Sequence, residues 1–331
     1  MKYKNFGQTG LKISELCFGT MSFGVEADEK TSAQMFAACR EQGINIFDCA
    51  DLYARGRAEE ILGRLIKDIR EEVIITSKVY FPTGPDINAM GANRRHIMYA
   101  IEGSLQRLQT DRLDIYFIHR FDDITPLEET LRALDDLVHQ GKVVYLGLSN
   151  MAAWQIEKAL GISALHGLAP LACIQPMYNL VKRQAEVEIL PMAEAERLGV
   201  LTYSPLAGGL LTGKYGKNRR PSSGRLLENK VYQTRYQDEM GLEVAEKFTA
   251  LAAELGFNPV SLAIAWVGSH PAVTAPIVGA RNVEQLNDIF AATKINMTAE
   301  LRQQISSLSP EPSPATDRSE ERTDVHFPIR K

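Results

Sequence analysis

The chain has 331 residues, of which 45% are hydrophobic and 24% charged, with a formal net charge of −4 and a pI near 6.0. This composition is typical of a globular protein and argues against a nucleic-acid partner, which would require a basic face. The N-terminus has no apolar signal region, and no window reaches the roughly 18 apolar residues of a membrane span, so we expect a cytoplasmic protein with no membrane partner.

The cysteines form neither a disulfide nor a zinc pattern. Cys17, Cys39, Cys49 and Cys173 include no CxxC pair, and three of them lie in apolar, strand-like runs. A thiol in such a run usually acts as a small hydrophobe. We therefore expect a reducing compartment with no disulfide framework.

Taken in chain order, the first predicted element is a short β-hairpin. The segment KYKNFGQTGLKI has its turn at Gln8–Gly10. Apolar, β-branched runs typical of buried strands then recur, mostly at intervals of about 30 residues. They lie at residues 14–20, 44–50, 73–79, 113–119, 143–150, 171–179, 200–206 and 275–280.

Amphipathic segments lie between these runs and predict helices. They carry apolar residues at three- and four-residue spacing, and most end at a glycine. Eight strands without alternation, each followed by a helix, predict an α/β protein with a parallel sheet, and eight units favour a closed (β/α)8 TIM barrel. The segment GTMSFG after the first strand does not fit the GxGxxG fingerprint that usually marks an open dinucleotide-binding sheet.

A longer gap precedes the last strand. Residues 206–230 are rich in Gly, Lys and Arg and predict a long loop after strand seven, followed by helices at 239–255 and 259–268. Residues 309–331 are Pro-rich and charged and predict an irregular tail. Nothing marks a second domain, so we expect residues 1–331 to form a single domain.

Candidate catalytic residues follow the strands, because the active sites of βα barrels lie at the C-terminal strand ends. Those ends supply Asp48, Tyr53, Lys78 and His119. Each has a structural alternative: a solvated lysine, a structural histidine, an aromatic wall or a buried ion pair without catalytic role. Together, on neighbouring strands, they favour a reactive site.

Proton donation to a carbonyl oxygen is the chemistry that suits this set. An ammonium group beside a tyrosine favours tyrosinate and lowers the tyrosine pKa from its free value of about 10. We expect Asp48 to hold Lys78 charged, and Lys78 to bring the pKa of Tyr53 nearer neutrality. His119 would orient the same oxygen through a hydrogen bond.

From about Lys4 to about Leu308, the sequence resembles the aldo/keto reductases. The segments that carry this resemblance are FGQTGLKISELCFGT, GINIFDCADLYARGRAEEILGRLI, IITSKV, LDIYFIHRFD, GKVVYLGLSN, IQPMYN, YSPLAGGLLTGKY and PIVGARNVEQL. Among subgroups, it is most similar to bacterial aryl-alcohol-dehydrogenase-like enzymes and potassium-channel β subunits. The resemblance implies NADPH-dependent reduction of an aldehyde or ketone by hydride transfer from nicotinamide C4. It also implies that Asp48, Tyr53, Lys78 and His119 are the catalytic tetrad, with Tyr53 as proton donor.

The resemblance further implies a nicotinamide-cofactor site. Ser149, Asn150 and Gln175 would bind the carboxamide, and Tyr203 would stack on the ring. Arg281 would face a 2′-phosphate, which favours NADPH over NADH. The remaining residues would approach the cofactor through backbone or line its pyrophosphate and adenosine: Gly19, Thr20, Met21, Ser204, Pro205, Leu206, Gly208, Lys214, Gly279, Gln285 and Asp288.

An aromatic-lined site with a cation is expected for a small-molecule carbonyl substrate, such as an aromatic or dicarbonyl aldehyde. The residues predicted to line it are Phe23, Tyr80, Phe81 and Arg120. Two positions depart from the family pattern. Ala54 replaces the usual glycine after the tyrosine, which puts the conformation of that loop in question. Ile289 replaces an asparagine, which removes a polar contact to adenine.

Other functions remain open at this point. The channel β subunits imply that the scaffold can also serve as a cofactor-sensing partner protein, and a homo-oligomer is compatible with the sequence. A metal-dependent hydrolase would need convergent histidine ligands. The six histidines are scattered and only His119 ends a strand, so we expect no metal.

Overall fold

The N-terminal hairpin covers one end of a central barrel. Its strands, β1 (Tyr3–Asn5) and β2 (Lys12–Ser14), pair antiparallel around the predicted turn. Phe6 and Ile13 are buried in the apolar cluster inside the barrel, and Phe6 contacts Gly199 at the start of a barrel strand. The computed structural model describes residues 1–216, 219–236, 238–318 and 320.

Eight parallel strands close the barrel. They are β3 (Cys17–Gly19), β4 (Ile46–Asp48), β5 (Ile74–Val79), β6 (Leu113–Ile118), β7 (Val143–Ser149), β8 (Leu171–Gln175), β9 (Gly199–Thr202) and β10 (Ala275–Val278). Each pairs with the next, and β10 pairs with β3 to complete the ring. Every strand overlaps its predicted run, so the predicted TIM barrel is confirmed.

Both faces of the strands are buried, which explains why their sequences do not alternate. On β6, Ile115 and Phe117 point into the barrel, whereas Tyr116 and Ile118 pack towards the surrounding helices. Phe117 lies against Gly147, where an added β-carbon would come within 2.4 Å of its ring. A residue without a side chain on β7 therefore makes room for a large one on β6.

Helices surround the barrel. They are α1 (Glu29–Glu41), α2 (Arg57–Ile66), α3 (Arg94–Leu108), α4 (Leu127–His139), α5 (Ala153–His166), α6 (Ile189–Ala195), α7 (Arg225–Glu228), α8 (Lys230–Tyr236), α9 (Glu239–Glu254), α10 (Pro259–Gly268), α11 (Glu284–Ala291) and α12 (Ala299–Ser306). Side chains of Asp28, Asn93 and Asn258 cap the N-termini of α1, α3 and α10, which explains where these helices begin. Within the described ranges, no single helix is long and apolar enough to cross a membrane; α9 and α10 would meet that test only together, across a 104° bend.

The segment after β9 is more ordered than predicted. Residues Ala207–Thr212 form a 3-10 helix and α7 lies within the predicted loop, whereas α8 begins at residue 230, where that loop was predicted to end. Leu226, Tyr232 and Tyr236 order this segment by burying their side chains in the outer core. The prediction of a loop over residues 206–230 is therefore wrong in part. Residues 309–318 contain no helix or strand, and the rest of the predicted tail, apart from residue 320, lies outside the described residues.

Candidate active site

The four predicted catalytic side chains meet at the C-terminal mouth of the barrel. Asp48 ends β4, Lys78 lies one residue before the end of β5, and His119 directly follows β6. Tyr53 begins a short 3-10 turn, Tyr53–Gly56, between β4 and α2. Neighbouring parallel strands thus bring together residues that are up to 71 positions apart in the chain (119 − 48).

A buried ion pair between Asp48 and Lys78 forms the centre of this site. Lys78 Nζ lies 2.7 Å from Asp48 Oδ2, and the two side chains are 0% and 3% exposed. Asp48 Oδ1 accepts hydrogen bonds from Thr76 Oγ1 and Gln175 Nε2, each at 2.8 Å. Lys78 Nζ also donates to the Cys49 carbonyl at 2.6 Å. Burial is the largest single influence and opposes the lysine charge, but Asp48, with Tyr53 and Cys49, outweighs it and raises the pKa of Lys78, so this residue remains an ammonium.

The turn that carries Tyr53 holds its hydroxyl 3.4 Å from Lys78 Nζ. The next two residues, Ala54 and Arg55, have φ values of 50° and 57°. This left-handed conformation costs a non-glycine residue about 1–2 kcal/mol, whereas glycine adopts it freely. Ala54 thus occupies a position that physically favours the glycine implied by the family pattern.

Burial dominates the pKa of Tyr53. Desolvation raises this pKa above its ordinary value, Lys78 acts in the opposite direction, and Asp48 adds to the increase. The prediction that Lys78 brings the pKa of Tyr53 nearer neutrality is therefore wrong for the chain by itself. The physical reason is that desolvation of the hydroxyl outweighs the attraction of Lys78, and the Asp48 carboxylate opposes that attraction further. Tyr53 consequently keeps its proton at neutral pH.

His119 stands beside Tyr53, with their ring centroids 6.2 Å apart. Burial, and then the charge of Lys78, lower the pKa of His119 well below its usual range. Its Nδ1 atom is buried and neither accepts nor donates a hydrogen bond within the described part of the chain. The imidazole is therefore neutral at physiological pH and carries one N–H donor.

A chain of hydrogen bonds links the ends of β6, β7, β8 and β9 beside the ion pair. Ser149 Oγ donates to the Gln175 carbonyl at 2.9 Å, and Asn150 Nδ2 donates to Ser149 Oγ at 3.1 Å and to the His119 carbonyl at 2.8 Å. Tyr203 Oη donates to Asn150 Oδ1 at 2.6 Å. The residues predicted to bind the nicotinamide carboxamide and to stack on the nicotinamide ring are therefore next to one another.

Backbone conformation after β9 suits an anion. Ser204, Ala207, Gly208 and Gly209 have φ values of 59°, 50°, 68° and 102°. Runs that mix right- and left-handed residues turn backbone N–H groups towards a common point and form anion-binding concavities. The predicted pyrophosphate residues Ser204, Pro205, Leu206, Gly208 and Lys214 all lie on this one segment.

Contacts between distant segments add residues that sequence reasoning missed. We call helices α7 and α8 the strap. Arg225 of the strap pairs with Glu26 at 3.3 Å, and Arg281 lies 3.5 Å from the same Glu26 oxygen. The guanidinium of Arg235 stands 5.9 Å from the centre of the Tyr203 ring. The basic composition of residues 206–230 was a sequence signal for Arg225, but none marked Glu26 or Arg235.

The predicted adenosine residues surround the start of α11. The backbone N–H of Arg281 donates to Gln285 Oε1 at 3.0 Å, and the Asp288 carbonyl accepts from Ser261 at 2.6 Å. Ile289 is buried in the core. It therefore offers no polar group to an adenine, as its sequence predicts.

The end of β3 brings backbone to the mouth. An added β-carbon at Gly279 would lie 3.5 Å from the Gly19 carbonyl, so two residues without side chains face each other there. Thr20 is buried and donates to the Asp48 carbonyl at 3.0 Å. The Met21 sulfur contacts the Tyr232 hydroxyl of the strap at 3.9 Å.

Aromatic rings form one wall of the mouth. The Phe81 ring lies 5.3 Å from Tyr80 and 5.0 Å from His119, and the Arg120 guanidinium stands 5.4 Å from the Tyr80 ring. Phe23 does not join them. It is 0% exposed and lies 6.0 Å from Phe18 in the layer between strands and helices, so its prediction as a substrate contact is wrong.

The described ranges contain no group of three or more His, Cys, Asp or Glu residues that could hold a metal ion. All four cysteines are buried free thiols. The predicted absence of a bound metal stays a prediction.

Comparison with known proteins places the chain in a family. The sequence profile of the aldo/keto reductase family matches residues 15–310. An oxidoreductase of Bacillus subtilis, YrpG, described as uncharacterized, is 38% identical over 328 residues, which is 96% of this chain and 98% of the relative. Probable voltage-gated potassium channel β subunits of Arabidopsis thaliana and Oryza sativa subsp. japonica are each 39% identical, over 89% of this chain and 92% of their own length. The chain therefore belongs to the aldo/keto reductase family of oxidoreductases.

Proposed function

We propose that this chain is an NADPH-dependent reductase that converts aldehydes or ketones to alcohols, with Tyr53 as the proton donor. The position of Lys78 supports this function most directly. Its buried ammonium contacts both the Asp48 carboxylate at 2.7 Å and the Tyr53 hydroxyl at 3.4 Å. A purely structural ion pair would need neither the tyrosine nor the neutral histidine beside it.

Proton transfer is the task of the protein side chains. As negative charge develops on the substrate oxygen, the proton of Tyr53 Oη moves to it, and the Lys78 ammonium stabilises the tyrosinate that remains. Because burial raises the pKa of Tyr53, this stabilisation is needed in the transition state rather than before it. The neutral His119 donates an N–H to the same oxygen and orients it. The nicotinamide, when bound, supplies the hydride for the carbonyl carbon.

The polar residues beside the ion pair fit a carboxamide, which has both a donor and an acceptor to satisfy. Gln175 gives its Nε2 hydrogen bond to Asp48, which leaves Oε1 to accept from the carboxamide. Ser149 and Asn150 present a hydroxyl and an amide next to it. Tyr203, tied to Asn150 at 2.6 Å, offers a ring for stacking.

Two arginines support NADPH over NADH. Arg225 and Arg281 both lie within 3.5 Å of one carboxylate oxygen of Glu26. Guanidinium groups that can share one carboxylate can also bind a phosphate, since both ligands present oxygens to the planar fork. We infer that a 2′-phosphate takes the place of Glu26 as the partner of these arginines.

The aromatic wall and its cation support an aromatic or dicarbonyl aldehyde as substrate. Tyr80 and Phe81 present flat apolar surface beside His119. Arg120, half-exposed above Tyr80, would bind a second oxygen of a dicarbonyl or a substituent on an aromatic ring.

Steady-state reduction of aromatic aldehydes and methylglyoxal, followed by loss of NADPH absorbance, tests this function. We expect Tyr53→Phe to lower kcat by about 10²–10⁴-fold, the usual contribution of a general acid, with NADPH binding by fluorescence unchanged. Tyr80→Phe is the matched control and should keep most of its rate, because the Tyr80 hydroxyl has no role in proton transfer. Full activity of Tyr53→Phe would show that another group is the acid.

A non-enzymatic role would give a different result. The two plant relatives are described as probable channel β subunits, so a cofactor-sensing partner protein is the second candidate. Tight NADPH binding without turnover of any carbonyl, in wild type and variant alike, would favour this role over the reductase.

A further inference from the structure

A second buried carboxyl group lies directly behind the catalytic turn. Asp51 is 2% exposed and precedes Tyr53 by two residues. Its backbone N–H donates to the Lys78 carbonyl at 3.4 Å, so the turn is attached to the strand that carries the catalytic lysine. Within the described part of the chain, neither carboxyl oxygen of Asp51 reaches a hydrogen-bond partner.

The cation that acts most strongly on this carboxyl group is already paired. Glu59, on α2, is 0% exposed and accepts hydrogen bonds from Ser77 Oγ at 2.5 Å and from Arg107 Nε at 2.7 Å. Arg107 is held by Glu59 at hydrogen-bond distance, whereas Asp51 makes no such contact with it. Two buried carboxyl groups therefore share the influence of one guanidinium.

The surroundings of Asp51 favour its neutral form. The groups that face it are Glu59 on α2, Arg107 on α3, Lys78 on β5 and the buried Tyr116 hydroxyl on β6. Burying an unpaired carboxylate is costly, and a group in that position takes up a proton instead. Burial, and then Glu59, raise the pKa of Asp51 to about 7, although Arg107 and the nearby backbone N–H of Leu52 act in the opposite direction.

We propose that Asp51 is a positioning residue of the reductase site, which keeps the Tyr53 turn against β5 as a neutral carboxylic acid and releases it on ionisation. This inference rests on the proposed function. An ionised Asp51 would face Glu59 inside the fold, and Arg107 and the Leu52 N–H would compensate its charge only in part. The turn would then open towards water and carry the Tyr53 hydroxyl away from Lys78, since both residues lie on the same short segment. The added negative charge would also disfavour the tyrosinate left after proton transfer.

The pH dependence of kcat separates this role from a structural one. For wild type we expect kcat to decrease above about pH 7 and to approach a tenfold decrease per pH unit, while the Kd for NADPH stays unchanged. Asp51→Asn cannot ionise and should keep its rate through that range. Asp111→Asn, which changes an aspartate whose side chain is 84% exposed, should behave like wild type. Persistence of the same fall in Asp51→Asn would overturn the proposal.

Thermal unfolding as a function of pH tests the role of Asp51 without measuring turnover. A carboxyl group whose pKa is raised by folding stabilises the folded protein at low pH. This stabilisation is lost as the pH rises from the pKa of the group in the unfolded chain, about 4, to its pKa in the folded chain. The Tm of wild type relative to Asp51→Asn should therefore fall between about pH 4 and 7 and then level off. A constant Tm difference in an active reductase would overturn the role of Asp51 alone. The expected Tm pattern in a chain that reduces no carbonyl would instead overturn the reductase function, and the catalytic part of this proposal with it.

Discussion

Removing one partner of the Asp48–Lys78 pair is predicted to destabilise the fold more than removing both. Asp48→Asn keeps the shape of the side chain but leaves the Lys78 ammonium buried, with a carbonyl and a hydroxyl as its remaining contacts. Lys78→Met leaves the Asp48 carboxylate with two neutral donors, Thr76 and Gln175. Each single change therefore creates an uncompensated charge, whereas the double change creates none.

The loss of unfolding free energy in each single variant depends on the hydrogen bonds that the remaining charged side chain keeps. Breaking a buried ion pair typically costs about 3–5 kcal/mol, while replacing both partners is often nearly neutral. Asp48 keeps two hydrogen bonds at 2.8 Å, so we expect Lys78→Met near the lower end of that range and Asp48→Asn near the upper end. The double variant should lose less than either single variant, which gives a coupling free energy of at least about 3 kcal/mol.

Urea unfolding of the four proteins at neutral pH, followed by circular dichroism and tryptophan fluorescence, measures this cycle. The exposed pair Lys247–Glu243, 2.8 Å apart with side chains 55% and 51% exposed, is the control. Lys247→Met with Glu243→Gln should show a coupling of no more than about 0.5 kcal/mol. If the losses at Asp48 and Lys78 were simply additive, or no larger than those of the exposed pair, the reasoning from burial would be refuted.

Three further predictions concern the cofactor arginines, pH and the last helix. Glu26→Gln should tighten NADPH binding by about 2–5-fold and leave NADH binding unchanged, because Glu26 would no longer compete with the 2′-phosphate for Arg281, and a solvent-accessible ion pair contributes about 0.2–1 kcal/mol; equal effects on both cofactors in equilibrium titrations would contradict this. Burial lowers the pKa of His270 to about 4. Below about pH 6.5 the unfolded chain therefore binds a proton that the folded chain does not, and wild type loses stability as the pH falls. The Tm of His270→Gln should consequently rise relative to that of wild type as the pH is lowered from about 7 to 5; a constant Tm difference would exclude the effect. Arg302→Ala should lower the free energy of unfolding by about 2–4 kcal/mol, because its guanidinium donates to the Trp266 carbonyl at 2.5 Å. It should leave kcat unchanged, because its hydrogen-bond partners Trp266, Ser269 and Tyr178 are not residues of the proposed site; a matching loss of kcat would show that the last helix supports the site.

The sequence by itself was sufficient for the barrel and for the positions of the four residues proposed to be catalytic. Buried parallel strands lack alternation, so their apolar runs stand out, and the closed ring then follows from eight strand-and-helix units. A closed barrel brings the C-terminal ends of its strands together at one mouth. For this reason the sequence was enough to predict that Asp48, Lys78 and His119 lie close to one another. The hairpin turn was also local and could be recognised from its glycine-containing segment.

Only the tertiary structure decided the charge states and the contacts between segments. The pKa of Tyr53 rises because desolvation outweighs one nearby ammonium, a balance that depends on how many groups surround the hydroxyl. The bond between Arg225 and Glu26 joins residues 199 positions apart, and no local pattern marks it. Phe23 is fully buried beside Phe18 in the layer between strands and helices, and its position in the loop after β3 does not predict this burial. Hydrophobic periodicity records which face of an element is buried, whereas desolvation and charge pairing are sums over groups from several elements and arise only when the chain has closed around them.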